Sequence, residues 1–415
     1  MSGLLLRFKP SIMDVSSQAI EKVALDSKGF IIKTPLIRSF GIEERVGSKH
    51  PIYLKAENLQ FTGSFKVRGA LSKIMSVLSA AKKKGLVAAS AGNHAQGVAF
   101  HAKRLGLDAK IVMPVNTPLV KLRSTRQLGA QVVLFGESYQ EAYEEARRIE
   151  TQEGREYIHA FNDPAVIVGQ GSLAKEIWDE LPEIETLICP IGGGGLIAGM
   201  SVFLKEKNPN INIVGVQAAG CNTFLPSRKA GHAISLERVD TIAEGIAVKK
   251  MGDLCFEIAN KNLNDSIVVN DEEIAEGLLY ALENERLFLE GCGGAAIAAA
   301  FRAPEMMQGP TVIVLTGGNL DVNLLARIIQ KGLAKSGRLF QFEAIIPDLP
   351  GSLEKLIHVI AEHNASIVQI DHERVFRTQA LKEVNTHVLV ETDGPEHIEQ
   401  IKVALQKALP WRFNF

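Results

Sequence analysis

The stretch TLICPIGGGGLIAGM, residues 186–200, joins an apolar run to a helical pattern through four consecutive glycines, Gly192–Gly195. An apolar run of this length that ends on glycine and leads into a helix is typical of a βα unit. Successive glycines at a helix N-terminus expose backbone N–H groups, and the helix dipole favours an anion there. A tight turn is the plainer interpretation, but the flanking strand and helix favour a phosphate-binding loop.

Similar pairs of strand and helix patterns lie on both sides of this loop. Helical patterns at residues 96–105, 120–128 and 139–150 each follow a short β-branched run. The β-branched runs are LVAAS, AKIVMP, AQVVLF, TLICPI, INIVGVQ and TVIVL, at residues 86–90, 109–114, 130–135, 186–191, 211–217 and 311–315. This alternation predicts the α/β fold class with a parallel sheet, whose ligands bind beyond the carboxyl ends of the strands.

The pattern changes near residue 335. KSGRLFQFEAIIPDLPGSLEKLIHVIAEHNASIVQID, from residue 335, has the pattern strand, turn, helix, strand, and THVLVETD with PEHIEQIKVALQKAL adds a strand and a helix. We therefore predict a separate βαββαβ domain, ferredoxin-like, over residues 335–415. Asn364 stands where a left-handed residue would end its first helix.

The composition limits the partners of the chain. The 415 residues carry a formal net charge of -1, and the one dense basic run, Lys82–Lys84, lies at a predicted helix end. No nucleic-acid partner is expected. The four cysteines form no CxxC pair, and no histidines stand near them at ligand spacing, so neither a metal site nor a disulfide framework is expected. The apolar run Leu4–Leu6 is interrupted by Arg7, which predicts a cytoplasmic protein with no membrane partner.

The segment NLQFTGSFKVRGA, residues 58–70, places one lysine, Lys66, among aromatic, β-branched and glycine positions. Phe65 precedes the lysine directly, and Gly63 and Gly69 let the chain turn and approach a neighbouring group closely. Such a lysine either extends its amine into solvent or acts as a nucleophile in a partly desolvated pocket.

The kind of phosphate follows from the residues around the loop. A nucleotide loop would carry a lysine followed by serine or threonine, and a dinucleotide fold would end its next strand on an acidic residue. Here that strand, INIVGVQ, ends on Gln217. Pyridoxal 5′-phosphate is favoured because its aldehyde needs a lysine such as Lys66 and its phosphate needs an anion site.

Two further segments follow predicted strands. SAGNHAQG, residues 90–97, opens a helix, so its N–H groups and the side chains of Ser90 and Asn93 are candidates to receive a substrate carboxylate. Ser90 alone would be equally consistent with an N-cap. Thr316 follows the strand TVIVL and precedes two glycines, which is also the pattern of an ordinary turn.

Together these segments resemble the pyridoxal-phosphate enzymes of the tryptophan-synthase-β fold type, and most closely the serine/threonine dehydratases. The resemblance covers nearly the whole chain. Its motifs are KTPL, YLKAENLQFTGSFKVRGA, SAGNHAQGVA, GGGGLIAG, TIAEGIAV and LTGGN, at residues 33–36, 53–70, 90–99, 192–199, 241–248 and 315–319. It implies fold type II, with a two-lobed parallel-sheet catalytic region over residues 1–334 and a smaller lobe inserted at residues 60–165.

The resemblance also implies roles for individual residues. Lys66 would hold the cofactor through a Schiff base, and Asn93 would bind the phenolic oxygen of the ring. Gly192–Gly195 and Leu196 would bind the phosphate. Thr316 would face the pyridine nitrogen, where serine is common in the family, and its hydroxyl keeps the same donor and acceptor.

The remaining implied site residues surround this cofactor. Phe65 is expected to contact it, and Glu290 in FLEGCGG matches a family glutamate near the ring. The expected substrate-binding residues are Ser90, Ala91, Gly92, Asn93, His94 and Gly245. Some relatives bind a cation after the strand that here ends on Gln217, but QAAGCN at this place has no carboxylate, so no metal is expected.

The implied reaction is β-elimination of water from L-threonine, with L-serine as a second substrate, followed by release of ammonia and 2-oxobutanoate or pyruvate. Lys66 would both carry the cofactor and remove the α-proton. Serine racemases of similar sequence carry a serine where Ala91 stands, and a racemase is the alternative within the family. An amino-acid sensor with a phosphate loop but no catalysis, or a nicotinamide oxidoreductase, is the alternative outside it.

The end of the chain resembles the ACT regulatory domain of medium-length threonine dehydratases. The resemblance rests on IPDLPGSLEKL and IDHERV, residues 346–356 and 370–375. It implies an ACT-like regulatory domain over residues 335–415 that binds isoleucine or valine between copies of the chain, within a homotetramer. A domain used only for assembly is the alternative. The helix exit Asn364-Ala365-Ser366 departs from the Gly-x-Asn that is common in the family.

Overall fold

The computed structural model describes residues 14–373 and 382–415. The run Leu4–Leu6 and the last two residues of IDHERV lie outside the described residues. The chain divides into two compact units, Met1–Leu320 and Asp321–Phe415. The helix Val322–Lys335 groups with the second unit, whereas the sequence analysis sets the boundary after residue 334.

The first unit contains two sheets. The strands of the larger sheet are β1 (Leu36–Arg38), β2 (Ile52–Ala56), β7 (Thr186–Pro190), β8 (Asn212–Ala218), β9 (Asp265–Val269) and β10 (Thr311–Leu315). The strands of the smaller sheet are β3 (Leu86–Ala89), β4 (Ala109–Met113), β5 (Gln131–Leu134) and β6 (Glu156–Tyr157). The larger sheet has the order β1-β2-β10-β7-β8-β9 and only β1 runs antiparallel to its neighbour, while the smaller sheet, β5-β4-β3-β6, is parallel throughout. The predicted α/β fold with parallel sheets is confirmed.

Helices follow most of these strands. The helices of the first unit are α1 (Ser17–Asp26), α2 (Phe40–Val46), α3 (Lys66–Ser76), α4 (Leu78–Lys84), α5 (Asn93–Leu105), α6 (Leu119–Gln127), α7 (Tyr139–Glu153), α8 (Pro164–Glu180), α9 (Gly195–Lys207), α10 (Phe224–Ala230), α11 (Asp253–Asn262), α12 (Asp271–Tyr280) and α13 (Gly291–Arg302). The helix predicted from residue 96 is α5, which begins at Asn93. Apolar periodicity misses this first turn because Asn93 and Gln96 are polar.

Strands β7 and β10 are buried along their whole length, because helices cover both faces of the larger sheet. Helix α3 packs against α5 and α8 through glycine. A Cβ on Gly97 of α5 would lie 3.3 Å from the carbonyl carbon of Lys66. A Cβ on Gly69 of α3 would lie 2.4 Å from the side-chain nitrogen, Nε2, of Gln170 in α8. These close approaches hold the start of α3, and with it Lys66, against its neighbours.

A buried ionic network supports the same helix. The guanidinium of Arg68 is buried and binds Glu57 at 2.7 and 2.8 Å and Glu176 of α8 at 2.7 and 3.0 Å. Lys55 of β2 joins Glu176 at 3.0 Å. Burial opposes the charge on Arg68, but the two carboxylates outweigh burial and raise its pKa. The two cations and two carboxylates therefore balance within the core.

The second unit is a four-stranded antiparallel sheet with helices. Its elements are α14 (Val322–Lys335), β11 (Leu339–Pro347), α15 (Ser352–Glu362), β12 (Ser366–Glu373), β13 (Glu383–Glu391), α16 (Pro395–Ala408) and β14 (Arg412–Asn414). The strand order is β12-β13-β11-β14, so the predicted ferredoxin-like βαββαβ arrangement is confirmed. Asn364, just after α15, has the left-handed φ of 58° expected from its position.

No helix in residues 14–373 or 382–415 is long and apolar enough to span a membrane.

Replacement of Arg68 by alanine should leave Glu57 buried without its cation and Glu176 with Lys55 alone. We expect the free energy of unfolding to fall by about 3–5 kcal/mol, measured by urea unfolding of the cofactor-free protein. Lys175→Ala is the matched control, because Lys175 and Asp179 form a solvent-accessible pair on the same helix as Glu176 and such pairs contribute about 0–1 kcal/mol. Equal losses in the two variants would contradict a stabilising role for the network.

Candidate active site

Lys66 is the first residue of α3, and its amine points into the protein. Nζ donates a hydrogen bond to the carbonyl of Ala160 at 3.2 Å and lies 5.1 Å from the centre of the Phe65 ring. The backbone N–H of Phe65 donates to the carbonyl of Thr316 at 3.1 Å. This bond ties the residue before the lysine to the end of β10.

The surroundings of Lys66 favour its neutral form. Burial lowers the pKa of the amine, while Cys292, Glu290 and Cys255 act in the opposite direction. A lysine with a lowered pKa is a better nucleophile at neutral pH, because more of it is unprotonated. The arrangement fits the second of the two sequence interpretations, a nucleophile in a partly desolvated pocket.

The glycine loop lies between β7 and α9 and leaves no room for side chains. A Cβ on Gly193 would lie 2.2 Å from the ring of Phe161, and one on Gly192 would lie 2.9 Å from the Cα of Ile246. Gly194 has a left-handed φ of 90°. Because α9 begins at Gly195, the first N–H groups of the helix have no intrahelical acceptors and are free to bind an anion.

The backbone and the side chain of Leu196 lie in different environments. Its backbone lies in the first turn of α9, as a phosphate contact requires, but its side chain is buried in the core beneath the larger sheet. The predicted contact is therefore open to its N–H group, whereas the side chain anchors the helix by packing.

The turn between β3 and α5, with the first residues of that helix, contains all the predicted substrate residues except Gly245. Residues 90–93 are partly exposed, and the Ser90 hydroxyl accepts a hydrogen bond from the N–H of Gly92 at 3.2 Å. Gly92, not Ser90, is the N-cap of α5. The ring of His94 is buried and its Nε2 lies 2.8 Å from the carbonyl of Ile158, which ties the start of α5 to the segment after β6.

Asn93 and Glu290 connect this turn to the rest of the site. Asn93 Nδ2 donates to Glu290 Oε2 at 2.8 Å. Burial raises the pKa of Glu290 to about 7, although the bond from Asn93 and the nearby Lys66 act to lower it. Gly245 completes the group, because a Cβ there would lie 2.8 Å from Cys292 Sγ and 3.2 Å from Glu290 Oε1.

Two hydroxyls next to the lysine are buried without partners. Thr316 Oγ1 and Ser64 Oγ have no hydrogen-bond partner among the residues that the structure describes. A buried hydroxyl without a partner is costly and calls for an explanation. For Thr316, the ring nitrogen of the expected cofactor would supply one.

Gln217 and the cysteines serve the structure. The Gln217 amide donates to Thr223 Oγ1 at 3.0 Å and accepts from the N–H of Phe224 at 2.7 Å, so it ties the segment after β8 together. All four cysteines are free and buried. Within the described part of the chain, no group of three or more His, Cys, Asp or Glu side chains could hold a metal ion.

Several residues of this site were not predicted from the sequence. Phe161 covers the glycine loop, and Ala160 accepts from Lys66, but the segment around them carries no glycine motif. Asn319 is the third residue that was not predicted, although it stands in the LTGGN motif. Its Nδ2 donates to Asn93 Oδ1 at 2.8 Å. A polar residue directly after two glycines at a strand end was the available signal for Asn319.

Comparison with known proteins identifies the class. Residues 28–317 match the family described as pyridoxal-phosphate dependent enzyme. This chain belongs to that family, and pyridoxal 5′-phosphate is its cofactor. The predicted fold type and cofactor are confirmed.

Individual relatives share most of the chain. It is 42% identical to an L-threonine ammonia-lyase of Thermotoga maritima over 94% of this chain and 97% of that protein. Among solved structures, the processed form of threonine deaminase isoform 2 from Solanum lycopersicum is 34% identical, with a TM-score of 0.71 over 78% of this chain and 96% of that one. Maize serine racemase is 30% identical, with a TM-score of 0.72 over 78% and 99% of the two chains.

The residues present fit the cofactor. The glycine loop offers a narrow cradle with helix N–H groups, Lys66 offers a primary amine of lowered pKa, and the unpartnered Thr316 hydroxyl offers a contact for the ring nitrogen. These three features match the phosphate, the aldehyde and the ring of the same small molecule.

Gly193→Ala should weaken cofactor binding, because the new methyl group collides with Phe161. Overpacking of this size costs about 1–3 kcal/mol, which corresponds to roughly 5- to 150-fold weaker binding, measured by titrating cofactor-free protein with pyridoxal 5′-phosphate. Phe161→Ala in the same protein should restore part of the affinity by making room. If Gly193→Ala binds the cofactor as the unaltered protein does, the loop is not the phosphate site.

Proposed function

We propose that this protein is an L-threonine ammonia-lyase, which converts L-threonine to 2-oxobutanoate and ammonia, and L-serine to pyruvate and ammonia. The observation that carries the proposal is the inward-pointing Lys66 amine, whose helix start is hydrogen-bonded to the end of β10 beside the unpartnered Thr316 hydroxyl. The 42% identity with the L-threonine ammonia-lyase of Thermotoga maritima supports the choice of reaction.

Lys66 performs two tasks in this reaction. Its Nζ would hold the cofactor through the aldehyde, and as a free amine it would remove the α-proton of the substrate. The bound cofactor withdraws electrons from the α-carbon and so makes that proton acidic. The lowered pKa of Lys66 suits the second task, because only a neutral amine accepts a proton.

Thr316 favours elimination as the outcome. A threonine hydroxyl at the ring nitrogen carries no charge, whereas a carboxylate there would hold a proton on the nitrogen and strengthen electron withdrawal. When the ring withdraws electrons less strongly from the α-carbon, loss of a β-hydroxyl group is favoured over reactions that need a long-lived carbanion. Substrates with a β-hydroxyl, such as threonine and serine, fit this requirement.

The turn at Ser90–Asn93 receives the substrate carboxylate in this proposal. It is partly exposed and lies at the start of α5, where N–H groups lack intrahelical acceptors. Gly245 borders the same space, because its neighbours include Glu290, which Asn93 binds. Neither position distinguishes strongly between threonine and serine, since one methyl group is worth roughly 1–3 kcal/mol.

A serine racemase is the second candidate, because maize serine racemase has the same fold at 30% identity. Racemisation needs an acid on the face of the α-carbon opposite Lys66. Ala91 occupies the position at which the sequence analysis expects that acid in racemases, and a methyl group cannot donate a proton. Dehydration is therefore favoured.

Residues 335–415 of the second unit are proposed to be an ACT-like regulatory domain, with the catalytic domain at residues 1–334. Its ferredoxin-like sheet and the left-handed Asn364 support this assignment. Isoleucine or valine is the proposed effector. A homotetramer and a cytoplasmic location complete the proposal, and four free cysteines fit a reducing compartment.

Lys66→Ala should abolish release of ammonia and 2-oxobutanoate from threonine, because both the cofactor link and the base are lost. Steady-state assays of both products measure this loss. Lys82→Ala, at the exposed end of α4, is the control and should retain full activity. Substantial turnover by the Lys66 variant would refute the assignment of its amine.

Isoleucine or valine should change the initial rate with threonine in the full chain and leave unchanged the rate of a variant that ends at residue 334. The reason is that regulation resides in the second unit while the catalytic residues lie in the first. If the rates are the same with and without both amino acids, the second unit serves only in assembly and not in regulation.

A further inference from the structure

The carboxamide of Asn93 is held on both sides. Its Nδ2 donates to Glu290 Oε2 at 2.8 Å, and its Oδ1 accepts from Asn319 Nδ2 at 2.8 Å. Asn319 Nδ2 donates in addition to the backbone carbonyl of Thr62 at 2.8 Å. Three hydrogen bonds thus form a line from Thr62 to Glu290.

The direction of this line is fixed by its first member. A backbone carbonyl only accepts hydrogen bonds, so the NH₂ end of Asn319 must face Thr62. The second N–H of that group then faces Asn93, which has to present its oxygen. Asn93 consequently turns its own NH₂ toward Glu290, whose Oε2 accepts the hydrogen bond and has an acceptor lone pair whether the carboxyl group is ionised or protonated.

The backbone around Asn319 is fixed as well. The N–H of Gly318 donates to the carbonyl of Gly63 at 2.8 Å, and Gly317 pairs with Ser64 in an isolated β-bridge. Gly63 has a φ of 67°, and a Cβ there would lie 2.8 Å from Asn319 Oδ1. Glycine at this position therefore leaves the room that the Asn319 carboxamide occupies.

We propose that Asn319 is a positioning residue: it orients the Asn93 carboxamide so that one N–H binds Glu290 and the other is left for the phenolic oxygen of the cofactor ring. An Asn93 that turned over would offer an oxygen to Glu290 and lose the donor at this place. The inference rests on the proposed contact between Asn93 and the cofactor, and it adds a function for the last residue of the LTGGN motif.

The competing explanation is that Asn319 merely links two loops. A link of that kind would act through the bond to the carbonyl of Thr62, and it would stabilise the fold whether or not Asn93 is present. The two explanations differ in what happens when Asn93 is already absent, because an orienting residue then has nothing to orient.

The experiment is a double-mutant cycle with Asn93→Ala and Asn319→Ala. Three quantities are measured for each variant: the affinity for the cofactor, the position of the visible absorption band of the bound cofactor, and the urea unfolding of the cofactor-free protein. Each single variant should bind pyridoxal 5′-phosphate roughly 3- to 10-fold more weakly, as expected for one lost hydrogen bond, and should shift the band. The double variant should bind no more weakly than Asn93→Ala.

Two further variants sharpen the cycle. Asn319→Asp should be worse than Asn319→Ala, because a carboxylate attracts the NH₂ end of Asn93 and turns it over. Asn58→Ala is the matched control, since Asn58 lies near the same loop, donates to the carbonyl of Phe288 at 3.2 Å and has no contact with Asn93 among the described residues. It should keep the affinity and the band of the unaltered protein.

Unaltered affinity and band in Asn319→Ala would overturn the inference. So would an unaltered Asn93→Ala, or losses that multiply in the double variant, which is the result expected of a simple link between loops. These binding measurements stand apart from the proposed reaction: a protein that binds the cofactor but releases no ammonia from threonine would refute the reaction and leave the orientation of Asn93 testable.

Discussion

The hydrogen bond from the N–H of Phe65 to the carbonyl of Thr316 is the constraint on which the site depends. It joins the start of α3, which carries Lys66, to the carboxyl end of β10, which carries the unpartnered hydroxyl. The bridge between Ser64 and Gly317 strengthens the junction. This short junction therefore sets the position of the lysine relative to the proposed contact for the ring nitrogen. The buried guanidinium of Arg68, two residues further along α3, fixes the helix through its bonds to Glu57 and Glu176.

Charge in the site is arranged by burial more than by ion pairs. Burial favours the neutral form of Lys66 by lowering its pKa, and it favours the protonated form of Glu290 by raising its pKa to about 7. Burial thus shifts both groups toward their neutral forms, which suits a site that passes a proton to and from an amine. The charged groups that need full compensation, Arg68 and its carboxylates, lie in the adjacent network instead.

The sequence alone predicted those features of the fold and the site in which a residue type has a single structural role. Continuous β-branched runs predicted the buried strands, because parallel strands are covered on both faces, and glycine runs predicted the tight loop before α9. Phe161 and the bond from Asn319 to Thr62 were not predictable, because each brings together residues distant in the chain whose types have many uses. The network of Arg68 escaped for the same reason: charged residues at exposed and buried positions have the same sequence pattern.

The central claim is that the amine of Lys66 forms the covalent link to pyridoxal 5′-phosphate. Borohydride reduction of the protein with bound cofactor, followed by proteolysis and mass spectrometry, tests it directly. The account predicts one reduced pyridoxyl group, on the peptide that contains Lys66. A stable adduct on Lys73 of the same helix, or on any other lysine with Lys66 unmodified, would contradict it.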